Sequence, residues 1–158
     1  MDARTFAAVP PPLAVDPFAP WHGAMARGAT AARQGWLLLA LASYQEALAI
    51  ARALLRVQDG RSDDRVAALV VAHHQLAETQ ADAGAAELAA IHLALAHETL
   101  MGLLCDPDAG GELQQAALRH SRETHAALLL HLQRHGPHPT ITRALRAGCL
   151  GMTVHQIH

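Results

Sequence analysis

Between Val66 and Leu104 the stretch VAALVVAHHQLAETQADAGAAELAAIHLALAHETLMGLL carries apolar residues three and four positions apart, interrupted once at Gly84. That spacing lines one face of a 3.6-residue helix, so it predicts two helices that meet at the glycine. The first should begin at Ser62, an N-cap residue type, with Asp63 and Asp64 where the positive end of the helix dipole favours negative charge. It should run to about Ala83, and the next should span about Ala86 to Leu104. Gly84 is the residue expected in left-handed geometry at such a helix end.

The same periodicity extends upstream from Trp21 to Val57, where a break near Ala42, Ser43 and Tyr44 is expected to separate two helices. Downstream, Asp106, Pro107, Gly110 and Gly111 make a loop. A fifth helix from about Glu112 to His135 should stop at Gly136-Pro137. A short helical piece, Thr140 to Ala147, precedes Gly148, and residues 148–158 form a C-terminal tail. Residues 1–20 are proline-rich, with Pro10, Pro11 and Pro12 consecutive, and proline excludes helix interiors. Phe6, Leu13, Phe18 and Trp21 are the side chains able to anchor that arm.

The predicted fold is therefore all-α, one domain over residues 21–147. Antiparallel helical hairpins at about 21–57 and 63–104 stack as a short repeat under a long C-terminal capping helix at about 112–135. Composition agrees: 51% of residues are hydrophobic but only 3% aromatic, so the core is Ala and Leu, which favour helix over sheet.

Charge narrows the function classes. The formal net charge is −2, and all 12 basic residues are arginines dispersed along the chain. No basic block marks a nucleic-acid or anionic-membrane surface. The apolar run WLLLALASYQEALAI is broken by Ser43, Gln45 and Glu46, so no membrane span is expected. The start lacks the pattern of a secretory signal, and Cys105 and Cys149 stand outside any C-x-x-C pair, as reduced thiols would. A cytoplasmic location is expected.

Aligning Tyr44 with Ala86 brings YQEALAIARALL over AAELAAIHLALA, a 42-residue offset with Ala47 over Ala89. Here the chain resembles the tetratricopeptide family. Leu76, Ala77, Gly84, Ala89 and Ala96 match its leucine, small, inter-helix glycine and packing positions in the second unit. Gly35, Tyr44 and Ala47 match its small, aromatic and packing positions in the first. Ala86, Leu54 and Ala42 depart from the pattern, and the offset exceeds the family's period of about 34. The resemblance covers about residues 28–104. It implies a non-enzymatic scaffold in which the first helix of each pair lines a groove for a protein or peptide partner. The groove residues would be His74, Glu78 and Asp82 on one wall, joined by Trp36, Leu39 and Ala40 from the first unit. The first three also share one helix stripe by their i, i+4, i+8 spacing alone.

The 12 histidines supply the alternative, a metal-binding helical bundle. Metal sites need imidazoles or carboxylates converging from neighbouring elements. The candidates are His131 with His135 at i, i+4, and a second set of His73, His97 and His125 with Glu78, Glu98 or Glu123, for a transition metal such as zinc. His131 and His135 together with Arg134 and His138 also suit an anion patch or a solvated face. The chain has no H-E-x-x-H motif and no phosphate-cradling loop. Ser121, Glu123 and His125 point in different directions on one helix, so no catalytic residues and, for the scaffold reading, no cofactor are expected. A homo-oligomer whose association follows histidine protonation is the third reading.

Overall fold

The turns of this chain are set by glycine. Gly35 and Gly84 have φ values of 73° and 80°, the left-handed region that costs a side chain-bearing residue energy. Each closes a helix in the same way. Gly35 N–H donates to the Ala32 carbonyl at 3.1 Å and Trp36 N–H to Ala31 at 2.9 Å; Gly84 N–H donates to Ala81 at 2.9 Å and Ala85 N–H to Gln80 at 2.8 Å. These bonds satisfy carbonyls that a helix end leaves unpaired.

A computed structural model describes residues 12–155, with side chains of the last helix described as far as Gly148. It contains α1 (Ala19–Arg33), α2 (Leu37–Leu54), α3 (Ser62–Asp82), α4 (Ala86–Cys105), α5 (Gly111–His135) and α6 (Pro139–His155), with no strand among the described residues. The fold is all-α. α1 packs on α2 and α3 on α4 as adjacent pairs; α2 joins the first pair to α3, and α5 lies against both α3 and α4.

The boundary between α1 and α2 falls at Gln34–Trp36 rather than at Ala42–Tyr44, through which α2 runs unbroken. The pattern missed it because Ala and Leu continue on both sides, and only the glycine distinguishes the turn. Moving the turn also moves the repeat. Matching the two glycine turns sets the units 49 positions apart, so buried Ala40, Tyr44 and Ala47 align with buried Ala89, Leu93 and Ala96. The 42-residue alignment differs from this by one heptad, about two helical turns, and so returns nearly the same face.

Two other expectations change. Ser62 does not cap α3: Arg61 holds the cap position, and Ser62 Oγ accepts from Arg65 Nη2 at 2.9 Å. The tail expected from residue 148 is helical through His155, as the end of α6. α5 is consequently not the last layer, because α6 follows it and packs chiefly on α4.

Of the N-terminal arm, residues 1–11, including Phe6, lie outside the described residues. Phe18 is buried and Trp21 packs on the first core cluster, whereas Leu13 is 94% exposed, so the anchoring begins at Phe18. Arg61 stands 4.3 Å over the Phe18 ring and reaches Asp16 at 3.2 Å, fastening this entry to the loop before α3.

Three apolar clusters make the core. Tyr44, Leu69 and Leu76 centre the first; Val66, Val70 and Leu100 the second; Ala89, Ala90, Leu128 and Ile141 the third. By length and composition α2 and α4 are each apolar enough to cross a bilayer, with mean hydropathies of 1.4 and 1.5, despite Ser43, Gln45 and Glu46 in α2. In this fold both are the second helices of packed pairs, which is where an Ala/Leu core places its most apolar elements.

Candidate functional site between α3 and α5

On α3, four-residue spacing brings His74, Glu78 and Asp82 to one side, one turn apart. On α5, His131, Arg134 and His135 do the same. The two rows face one cleft of about 270 Å³ whose floor is Ala77, Ala81, Ala89, Leu93 and Ala127. The small floor residues keep α3, α4 and α5 close while leaving the space above them open. Glu78 and Asp82 thus make one wall acidic, and Arg134 puts a positive charge on the other.

Among the described residues neither Glu78 nor Asp82 pairs with Arg134 or His135, and the α3–α5 contact made by a wall residue is that of His74 with Glu123. Glu78 accepts a hydrogen bond from Gln75 Nε2 at 3.1 Å on its own helix. His74 Nδ1 lies 3.7 Å from Glu123 Oε1, while its Nε2 is buried without a partner among the described residues. Burial holds the His74 imidazole below its ordinary pKa, with Glu123 opposing that shift. His131 is buried and its pKa is also lowered, first by burial and then by the neighbouring His135 and His138. The His131 and His135 ring centroids are 4.5 Å apart. Behind them His138 Nε2 meets Glu87 Oε2 at 2.6 Å.

A family model described as a protein of unknown function, DUF2753, matches residues 19–158. The chain belongs to the DUF2753 family. The match begins at the first residue of α1 and takes in all six helices. No curated protein and no solved structure matches the chain.

In this DUF2753 chain the expected groove residues divide. His74, Glu78 and Asp82 share the α3–α5 cleft, but Trp36 and Leu39 line a different cleft, between α1 and α2, beside the Arg27–Glu46 ion pair at 2.8 Å. The reason is the turn at Gly35: Trp36 and Leu39 belong to the start of α2, not to the first helix of the pair. Trp36 is 57% exposed there.

The five histidines set out as metal candidates fall in three places. His73 lies against His92, with their Nδ1 atoms 3.3 Å apart between α3 and α4. His97 lies against His125 of α5, ring centroids 5.8 Å apart, and bonds Thr124 Oγ1 at 2.8 Å. His131 and His135 line the cleft. Glu98 is engaged by Arg143 at 3.6 Å and Glu123 by His74 and His120, so neither carboxylate joins them. Among the described residues, no group of three histidine, cysteine or carboxylate side chains is placed to hold a metal ion.

Helical spacing made the two walls legible in the sequence. The floor residues Ala89, Leu93 and Ala127 carried no such signal, since alanine is also the common core residue of this chain.

Proposed function

We propose that the protein is a non-enzymatic, tetratricopeptide-like scaffold that holds a segment of a protein partner in the α3–α5 cleft. The observation that carries this reading is the cleft itself: a mostly alanine floor between Glu78 and Asp82 on one wall and Arg134 on the other, which do not pair with each other among the described residues. Its position supports it as well, since α3 is the first helix of one pair and α5 follows that pair, the surface on which tetratricopeptide-like stacks receive ligands. A peptide lying there gains backbone-close contact over the alanines and charge-assisted bonds to Glu78 or Asp82 on one side and Arg134 on the other. Elsewhere Arg27, Arg61, Arg65, Arg119 and Arg143 are each paired with a carboxylate, and the 12 arginines are dispersed along the sequence without a basic block. That disfavours a nucleic-acid partner.

The test is affinity capture from native cells with the wild type, Glu78→Arg, Arg134→Glu and, as a control outside the cleft, Trp36→Ala. A partner retained by wild type and Trp36→Ala but lost from both cleft variants is the expected result. Equal recovery by all four proteins removes the cleft from the function.

A further inference from the structure

α6 is held in an unusual way for the last helix of a stack. It packs extensively on α4 but touches α5, its neighbour in sequence, only slightly. The turn between them is Gly136, with φ 83°, followed by Pro137 and His138. At the near end His138 is pinned to Glu87 of α4. Along its length Ile141 and Ala144 are fully buried in the cluster with Ala89, Ala90, Leu93 and Ala94. At the far end Gly148 presses on His97: a Cβ at position 148 would come 2.5 Å from His97 Nε2.

The hydrogen bonds of His97 leave its protons little choice. Thr124 Oγ1 donates to the Ser121 carbonyl at 3.1 Å, so it accepts from His97 Nδ1–H at 2.8 Å, which assigns the hydrogen of the neutral ring to Nδ1. A second proton can go only to Nε2. That atom is buried, has no hydrogen-bond partner among the described residues and abuts α6 at Gly148. The charge-bearing neighbour on α5 is His125, which would repel an imidazolium. On α6 Arg143 is engaged by Glu98, and no acid from α3 contributes at His97.

We propose that α6 is an acid-released strap: a proton taken up at His97 Nε2 drives α6 off α4 about the Gly136–Pro137 turn and uncovers the α4 face of Ala90, Leu93 and Ala94. An N–H donor buried against helix backbone with no acceptor costs its full desolvation, and opening returns it to water. Burial and His125 hold the His97 pKa down to about 4, against 6.5 for a free imidazole, so the closed form loses ground as pH falls through that interval. Between pH 8 and pH 5 the closed-to-open ratio should drop by roughly thirtyfold, the linkage expected for those two values.

Hydrogen exchange resolved to peptides of α6 and α1, corrected for intrinsic rates, reads this directly. In the wild type, protection of α6 should fall by roughly thirtyfold more than in His97→Gln over that pH range, while α1 follows global stability. In His97→Gln, which has no titratable ring, that excess should vanish. NMR titration of the His97 ring in the wild type is the check that needs no variant: its transition should coincide with α6 opening. An α6 response preserved in full in His97→Gln, or a ring that titrates without α6 opening, would each overturn the strap.

Discussion

The Nδ1 atoms of His73 and His92 stand 3.3 Å apart across the α3–α4 interface, so the two imidazoles have room for one hydrogen between them. His73 is 1% exposed, and burial, with His92, Arg52 and His74 adding repulsion, lowers its pKa from 6.5 to about 3. His92 is lowered too, by burial first and then by Arg52. Because the folded state holds these rings neutral, the unfolded chain binds protons more readily in acid. The stability His73 contributes is fully present above about pH 6.5 and is lost as pH falls from there toward about 3, by up to about 1.4 kcal/mol per pH unit, and His92 acts in the same direction. Urea unfolding at several pH values should show a midpoint that declines steadily in this window. A midpoint flat from neutrality to pH 5 would contradict the buried, neutral assignment.

Gly28 of α1 packs directly against the Tyr44 ring of α2. A Cβ there would sit 2.5 to 2.9 Å from three ring carbons of Tyr44, which is 2% exposed. Gly28→Ala should destabilise the fold by about 1–3 kcal/mol through overpacking, even though alanine is the better helix former. Gly23→Ala on the same helix meets nothing nearer than Arg27 Nη1 at 3.4 Å and should be neutral or stabilising. Thermal melts of the pair should therefore move apart; a common shift would place the cost in helix propensity alone.

The two glycine turns offer a purely backbone test. At Gly35 and Gly84 an added Cβ meets nothing within 4 Å, yet φ is 73° and 80°. Alanine at either site should cost about 1–2 kcal/mol, all of it conformational. Similar losses in the two variants are expected from their matching hydrogen bonds, and denaturation midpoints measured side by side will show whether the turns are equivalent.

Arg119 donates to Asp63 Oδ1 from both Nε and Nη2, at 3.0 and 2.8 Å, on a surface where both side chains are more than half exposed. Solvent screening limits such a pair, so Arg119→Ala should cost less than about 1 kcal/mol, and that cost should shrink in high salt. A loss of several kcal/mol, insensitive to salt, would mean that the α3–α5 contact depends on this pair rather than on the apolar core.

Much of this architecture was legible in the amino-acid order. α3, α4 and α5 were readable because apolar spacing, Gly84 and the Gly136-Pro137 stop all agreed. The rows His74, Glu78, Asp82 and His131, His135 followed from helix geometry, which fixes what shares a face. The α1–α2 boundary was not legible: alanine and leucine are equally at home in one long helix or two, and a single glycine at position 35 decided it.

What the sequence determined alone is therefore local: helical class, most helix ends, and which side chains point the same way along one helix. Tertiary structure decided which faces meet. It brought the α3 and α5 rows to one cleft and sent Trp36 and Leu39 to another. It also separated histidines that composition had invited into one site, and set Gly148 of α6 against a ring nitrogen of His97. These are contacts between elements distant in the chain, and they depend on crossing geometry and close packing that helical periodicity does not encode.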